Sequence, residues 1–297
     1  MTTHTEAEIA SQPDCWRMAL ALSTQALPSP GERVAVIGCG TSWFIAQAYA
    51  TLREQAGHGE TDAFPASETP LHRPYDRVLA LTRSGTTTEV LDVLRRAKAR
   101  PAAAAAPRTT AITADPDTPV TGLADEVVVL DFADEKSVVQ TRFATTQLAL
   151  LRAHLGEDLT QAITDAEHAL TVPIPAELVA AEQLSFLGTG WTYGLAREAA
   201  LKMREASRSW TEAYLAMEYR HGPISIAGPN RITWMLGTAP DGLRDQVEAT
   251  GGTLLETTLD PMAELIRIQR LAVARAHAGG LDPDQPLHLT RSVILPA

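Results

Sequence analysis

The stretch VIGCGTSWFIAQAYATLRE, residues 36–54, decides the fold class. An apolar run from Val34 to Ile37 reads as a buried strand, Gly38-Cys39-Gly40-Thr41-Ser42 as a turn, and helical periodicity then continues to Glu54. A second version, FLGTGWTYGLAREAALKMRE, occupies 186–205. Gly38 and Gly188, Gly40 and Gly190, Ala46 and Ala196, and Ala50 and Ala200 all lie 150 residues apart, with a one-residue slip before Glu54 and Glu205. Both segments follow an apolar strand and open a helix, so the pattern favours duplication of an α/β unit.

The alternation extends outward. Residues 6–26 read as helical, Arg77–Leu81, Thr109–Thr113 and Glu126–Leu130 as strands, and Glu89–Ala99 and Gln140–Leu155 as helices. Residues 101–108, PAAAAAPR, are low in complexity and read as a loop. In the second half, Ile232–Gly237 and Thr253–Leu259 read as strands, Asp241–Thr250 as a helix, and a long helix starts at Pro261 and runs to Ala278. Strands alternating with helices of this length indicate a parallel sheet with helices on both faces. The second half has room for fewer strands than the first.

A chain of 297 residues accommodates one large domain or two ordinary ones. Its formal net charge of −11 argues against non-specific nucleic-acid binding, which needs basic surface to displace phosphate counterions. An acidic protein that binds an anion must do so locally, with backbone N–H groups and hydroxyls. The two cysteines, Cys15 and Cys39, suggest neither a disulfide framework nor a CxxC metal site. The N-terminal MTTHTEAEIASQPD lacks the basic and apolar segments of a signal peptide, and no run approaches a membrane span. The expectation is a cytoplasmic protein with no membrane association, no metal-ligand cluster and no need of a redox cofactor.

In a parallel sheet, ligands lie beyond the carboxyl ends of the strands. Two loops of the first half meet that condition, Gly38–Ser42 and Thr82–Thr88. The latter, TRSGTTT, places five hydroxyls, a glycine and an arginine in seven positions. Glycine lets the backbone approach an anion, the next helix N-terminus supplies N–H groups and positive potential, and hydroxyls add donors without bulk. The competing reading is a pair of capping turns, since Ser and Thr favour N-caps, although a cap needs one hydroxyl rather than five. GCGTSW lacks the third glycine of a dinucleotide fingerprint. Further along, Glu198, Lys202 and Glu205 recur at i, i+4 and i+7 on one helical stripe, and His221-Gly222-Pro223 follows. That stripe is either a solvated salt-bridge ladder or, with carboxylate, ammonium and imidazole together, a proton-transfer site.

Across EIASQP (8–13), GCGTS (38–42), ASE (66–68), TRSGTT (82–87), EKSVVQTRFATTQL (135–148), the block 197–223 and DPDQP…LTRSV (282–293), the chain resembles the sugar isomerase (SIS) domain proteins. The likeness is to the isomerase portion of glucosamine-6-phosphate synthase and to related amino-sugar-phosphate deaminases. It implies two tandem SIS domains, each a parallel sheet flanked by helices in a flavodoxin-like three-layer α/β/α arrangement. Residues 1–160 would hold an N-terminal helix and the first domain, and 161–297 a shortened second domain with a C-terminal tail. The resemblance makes Ser42, Thr82, Ser84 and Thr87 the hydroxyls that wrap a sugar phosphate, with Arg83 where a glutamine is common. It marks the segment from Glu135 to Gln140 as sugar-binding, with Val138 making a backbone contact and Gln140 where serine is usual. Glu205 matches the base that moves a proton between C1 and C2, and Lys202 a lysine beside it. His221 matches a ring-opening histidine supplied by the neighbouring subunit, which implies a homodimer.

Departures from the family pattern bear on the reaction. Arg291 stands where a tail lysine reaches the sugar; arginine stays protonated and forms no Schiff base, but it can pair with a hydroxyl or an enolate. No amidotransferase portion is present in the sequence and Met1 is followed by no cysteine, so dependence on glutamine is not expected. The second domain also lacks one strand–helix step before Pro261. The expected chemistry is C2 proton abstraction from an amino-sugar 6-phosphate resembling glucosamine 6-phosphate, giving aldose–ketose isomerisation and, with a free amine, release of ammonia. The alternatives are a lyase that eliminates the C3 hydroxyl of an N-acetylated sugar phosphate, and a non-catalytic phosphosugar sensor.

Overall fold

The computed structural model describes residues 2–99 and 106–296; residues 101–105 of the low-complexity segment lie outside them. Two short helices, α1 (His4–Ala10) and α2 (Gln12–Leu20), open the chain. The helical stretch expected over 6–26 is therefore broken at Ser11 and stops at Leu20. In the loop that follows, the Ala26 carbonyl accepts from Arg77 Nη1 at 3.2 Å and Thr110 Oγ1 at 2.9 Å, and the Ser29 carbonyl from Arg53 Nη2 at 2.7 Å. Three buried side chains from later in the chain thus pair the carbonyls of this loop and hold it in place.

The first sheet is built from β1 (Val34–Gly38), α3 (Thr41–Gln55), β2 (Thr61–Pro65), β3 (Arg77–Leu81), α4 (Thr88–Lys98), β4 (Arg108–Thr113), α5 (Pro119–Leu123), β5 (Glu126–Val129) and α6 (Arg142–His154). All five strands are parallel, in the order β2-β1-β3-β4-β5. β1 and β3 are buried along their whole length, as strands covered on both faces must be. Ala35, Ile37, Val78 and Ala80 share a core with Val90, Leu91 and Leu94 of α4, while α3 packs on β1 and β2 and against α6. α4 carries Glu89 in its first turn and Arg95, Arg96 and Lys98 in its last, which complements the helix dipole at both ends.

The second sheet follows α7 (Thr160–Thr171) and α8 (Ala176–Ala180) and comprises β6 (Gln183–Gly188), α9 (Thr192–Ser207), β7 (Thr211–Leu215), β8 (Arg231–Leu236), α10 (Leu243–Glu248), β9 (Thr253–Leu255) and α11 (Pro261–Ala278). It is parallel too, in the order β7-β6-β8-β9, which repeats the winding of the first sheet with four strands instead of five among the described residues. α11 starts at an Asp260 cap, whose carboxylate accepts from Met262 N at 2.9 Å, with Pro261 in the first turn. It packs on α9 and α7.

The 150-residue repeat holds in three dimensions. Val34 of β1 pairs with Thr61 of β2, and Leu184 of β6 with Thr211 of β7. Neither β2 (TDAFP) nor β7 (TEAYL) stands out by periodicity, because Asp62 and Glu212 interrupt short runs of mixed burial. Self-comparison does mark them: TDAFPASE (61–68) and TEAYLAME (211–218) share the same offset. At the ends of β1 and β6 the next helix comes very close. A Cβ on Gly38 would lie 2.6 Å from the Ser42 carbonyl carbon, and one on Gly188 2.4 Å from the Thr192 carbonyl oxygen.

The chain divides into two compact units. One surrounds the first sheet and contains Asp14–Glu135, Arg142–Asp158 and Thr290–Ala297; the other surrounds the second and contains Met1–Pro13, Lys136–Thr141 and Leu159–Leu289. α1 therefore goes with the second sheet, where it packs on α11, and the tail after Leu289 with the first. A division into 1–160 and 161–297 does not capture these two exchanges. Among the described residues no helix is long and apolar enough to cross a membrane.

Placing a methyl at the β6–α9 approach forces the helix start away from the strand. Gly188→Ala is expected to lower stability by about 1–3 kcal/mol, read as a lower midpoint in urea unfolding. An unchanged midpoint would show that the approach tolerates a side chain.

Candidate functional site

The first-sheet unit holds the hydroxyl-rich loop between β3 and α4. Thr82, Arg83 and Ser84 are all buried. Gly85 N donates to Thr82 Oγ1 at 3.2 Å and Thr86 N to Ser84 Oγ at 3.3 Å, so two hydroxyls shape the turn. Gly85 has φ of 62°, and a Cβ there would fall 2.0 Å from Thr118 Oγ1. Thr86 Oγ1 meets Ser292 Oγ at 2.9 Å, Thr88 Oγ1 accepts from Leu295 N at 2.9 Å, and Thr88 N donates to Val293 O at 3.2 Å. Two further hydroxyls thus secure the C-terminal tail.

The remaining one, Thr87, is the N-cap residue of α4, yet its side chain makes no cap bond. Gly40, the N-cap residue of α3, has no side chain to cap with. The capping interpretation of these loops therefore does not describe either helix start. Ser42, buried in the first turn of α3, lies on the neighbouring loop at the same sheet edge. Burial, and then the nearby Glu89 carboxylate, push the Cys39 thiol up to about 11, so it is a neutral thiol rather than a nucleophile.

Arg83 does not point outward. Its Nη1 lies 3.3 Å from Glu135 Oε2, with the two side chains 1% and 0% exposed, and its Nη2 donates to Arg291 O at 3.4 Å. The other Glu135 oxygen accepts from Arg142 N at 2.8 Å. Arg291 is engaged as well: it pairs with Asp134 and donates to the Glu135 carbonyl. These contacts make Arg83, Glu135 and Arg291 one connected charge network between the loop, the segment before α6 and the tail.

The second-sheet unit holds the stripe on α9. Lys202 Nζ lies 3.4 Å from Glu198 Oε1 and 2.5 Å from Glu205 Oε2. The side chains of Glu198 and Lys202 are 0% and 1% exposed, whereas Glu205 retains 17%. A solvated ladder would leave all three in water; here one carboxylate and the ammonium are buried and the second carboxylate is the open member. The segment 136–141 belongs to the same unit, and in it Val138 N donates to Asp284 O at 3.4 Å. The Gln140 Oε1 atom is buried and has no hydrogen-bond partner among the described residues. His221 ends a 3-10 turn (Glu218–His221) and is exposed; no hydrogen bond or ion pair among the described residues joins it to Lys202 or Glu205.

Residues 29–155, which contain the first sheet and its hydroxyl loop, match the SIS domain family. Over these residues the chain is similar to a SIS domain. Its relatives include a glutamine–fructose-6-phosphate aminotransferase (isomerizing) of Gloeobacter violaceus, 28% identical over 88% of this chain and 52% of that protein, and one of Caulobacter vibrioides, 27% identical over 97% and 58%. The chain thus spans about half the length of the curated relatives it matches. Among solved structures, glucosamine-6-phosphate deaminase of Thermotoga maritima has a TM-score of 0.82 at 23% identity, covering 99% of this chain and 100% of that one. The C-terminal domain of glucosamine-fructose-6-phosphate aminotransferase from Francisella tularensis gives 0.83 at 21% identity, with 96% and 99% covered. Tagatose-6-phosphate ketose/aldose isomerase of Escherichia coli gives 0.76 at 18%, with 97% of each chain covered. At these identities the likeness is one of fold.

Around the SIS-domain loop, sequence reading overlooked Asp134, which pairs with Arg291, and Ser292, which meets Thr86. Neither carries a local signal, because each acts on a residue far away in the chain. The buried Arg83–Glu135 pair leads to a test. Arg83→Met strands the Glu135 carboxylate and is expected to destabilise the protein by roughly 3 kcal/mol, measured by denaturant unfolding. Removing both charges in R83M/E135L should recover most of that loss, and no recovery would mean that the two charges do not act as a pair.

Proposed function

We propose that this protein is an acid–base enzyme acting on an amino-sugar 6-phosphate resembling glucosamine 6-phosphate, as an aldose–ketose isomerase/deaminase. The observation that carries this reading is the α9 array of Glu198, Lys202 and Glu205. Burying a lysine and a glutamate is unfavourable unless they are paired, and a stability device alone gains nothing from leaving Glu205 open. The hydroxyl loop supports a phosphate ligand, and the solved structures of like fold include a glucosamine-6-phosphate deaminase and a ketose/aldose isomerase.

In this reading Glu205 takes the C2 proton of the open-chain sugar. The C2–H electron pair becomes the C1–C2 double bond while charge moves to the C1 oxygen, and the Lys202 ammonium favours that charge. Return of the proton to C1 leaves an imine at C2; water adds to it and ammonia departs, giving the ketose phosphate. The steps are proton transfers and a hydrolysis, so no redox cofactor takes part. Ser42, Thr82, Ser84 and Thr87 bind the phosphate, and Val138 and Gln140 the sugar. Arg83 and Glu135 shape the loop and Arg291 anchors the tail, since all three are committed to partners in the protein. His221 opens the sugar ring in the site of a neighbouring subunit, which makes the functional form a homodimer. The second sheet is a second, shortened SIS domain, supported by the repeated winding and the 150-residue register.

Glu205→Gln is expected to reduce turnover of glucosamine 6-phosphate by roughly 10²–10⁴-fold while leaving its Kd nearly unchanged. Full activity in that variant would remove Glu205 as the base. Ser84→Ala should weaken phosphosugar binding by about 1–3 kcal/mol in calorimetry, with a far smaller effect on the bound-state rate. Proton NMR of the wild type with glucosamine 6-phosphate and its N-acetyl form separates the reactions. A ketose with ammonia supports the proposal, an unsaturated sugar from the N-acetyl form supports the lyase, and line broadening without product supports a sensor.

A further inference from the structure

Two motifs take no part in the proposed reaction: EIASQP at 8–13 and DPDQP at 282–286. We infer that Glu8 and Asp284 are positioning residues that together hold the segment 136–141 in its shape. The inference rests on the reading that Val138 and Gln140 of this segment contact the sugar.

Residues 136–141 adopt neither helix nor strand, so their amides need acceptors from elsewhere. Glu8, 4% exposed, supplies them from the interior of α1. Its Oε1 accepts from Lys136 N at 2.6 Å and from Ser137 N at 3.2 Å, and its Oε2 accepts from Ser137 Oγ. One carboxylate thus binds three donors on two consecutive residues, immediately before Val138.

Asp284 completes the arrangement from the other side. Its Oδ2 accepts from His4 N at 2.8 Å, and its Oδ1 from Thr5 N and Thr5 Oγ1, each at 2.7 Å. These are first-turn amides of α1, which have no partner inside the helix. Its backbone oxygen accepts from Val138 N at 3.4 Å. Burial opposes ionisation of Asp284, but the donors on Thr5 and His4 outweigh it and hold the carboxyl below its usual range. Asp284 therefore fixes α1, α1 presents Glu8, and both touch the segment. This accounts for the segment belonging to the second-sheet unit although Glu135 and Arg142 on either side belong to the first.

A purely structural anchor would change stability without changing ligand affinity; a positioning residue changes both the segment and the affinity. The full-length wild type, Glu8→Ala and Glu8→Gln are compared by hydrogen exchange of the 136–141 peptide without ligand, and by calorimetry with glucosamine 6-phosphate. In E8A, exchange at 136–141 is expected to rise about tenfold or more, with the β6 peptide 183–188 unchanged, and Kd to rise about tenfold. E8Q keeps one oxygen for the two amides and an NH₂ for Ser137 Oγ, and should restore most of both. Unchanged exchange at 136–141 in E8A overturns the inference, as does faster exchange with an unchanged Kd. If E8A also loses protection at 183–188, Ser137→Ala supplies the readout, with faster exchange confined to the segment and weaker binding expected. Should the wild type not bind glucosamine 6-phosphate, the functional proposal fails, and exchange at 136–141 alone decides whether Glu8 holds the segment.

Discussion

At the carboxyl end of β1 and of β6, the helix that follows starts so close to the strand that only a hydrogen fits on the intervening Cα. A Cβ would lie 2.6 Å from the Ser42 backbone at Gly38 and 2.4 Å from the Thr192 backbone at Gly188, both well inside van der Waals contact. The starts of α3 and α9 follow from this approach. It brings the first turn of α3, with Ser42, to the edge of the first sheet, where the β3–α4 loop also ends. It also sets the origin of α9, whose later turns carry Glu198, Lys202 and Glu205 on one stripe. Val34–Thr61 and Leu184–Thr211 pair in equal register, so the strands beside the two approaches are laid down in the same way.

Charge burial separates the two groups of polar residues. In the first-sheet unit, Arg83 and Glu135 neutralise each other with almost no exposure, so their chemistry is used up inside the protein. On α9 the balance is unequal: two carboxylates face one ammonium, and the carboxylate nearer the helix end keeps contact with solvent. Coulombic attraction in a poorly solvated surrounding holds the three together, and the geometry leaves one oxygen-bearing group reachable. That difference, rather than the presence of charged residues, distinguishes a structural pair from a group suited to proton transfer.

The chain itself shows where sequence reading works and where it stops. Long helices such as α3, α9 and α11 and the doubly buried strands β1 and β3 are legible, because their periodicity reports burial directly. The edge strands β2 (TDAFP) and β7 (TEAYL) are not, since each mixes an acidic residue into a short apolar run, whereas the edge strands β5 and β9 keep apolar runs; the internal repeat reveals the first two. The helix expected to reach residue 26 stops at Leu20, where Ala21 N and Leu22 N bond back to Met18 O and Ala19 O in a tighter i→i−3 pattern, and the loop beyond is held by Arg77, Arg53 and Thr110, distant in the chain. The hydroxyls of TRSGTTT look alike in sequence, yet Thr82 and Ser84 shape the turn, Thr86 and Thr88 hold the tail, and Thr87 leaves its helix uncapped.

By itself the sequence determined the class of fold, the repeat, the shortened second sheet and the residue types gathered at the loop and on the α9 stripe. These depend on local spacing, which 3.6-residue and two-residue periods record along the chain. Only the tertiary structure decided that Arg83 turns inward to Glu135, that Arg291 anchors the tail, that α1 joins the second sheet through Asp284, and that Glu8 braces Lys136 and Ser137. Each of these is a charge or amide matched with a partner more than fifty residues away, and such a match is set by which donors folding brings within about 3 Å, not by anything written beside them in the sequence.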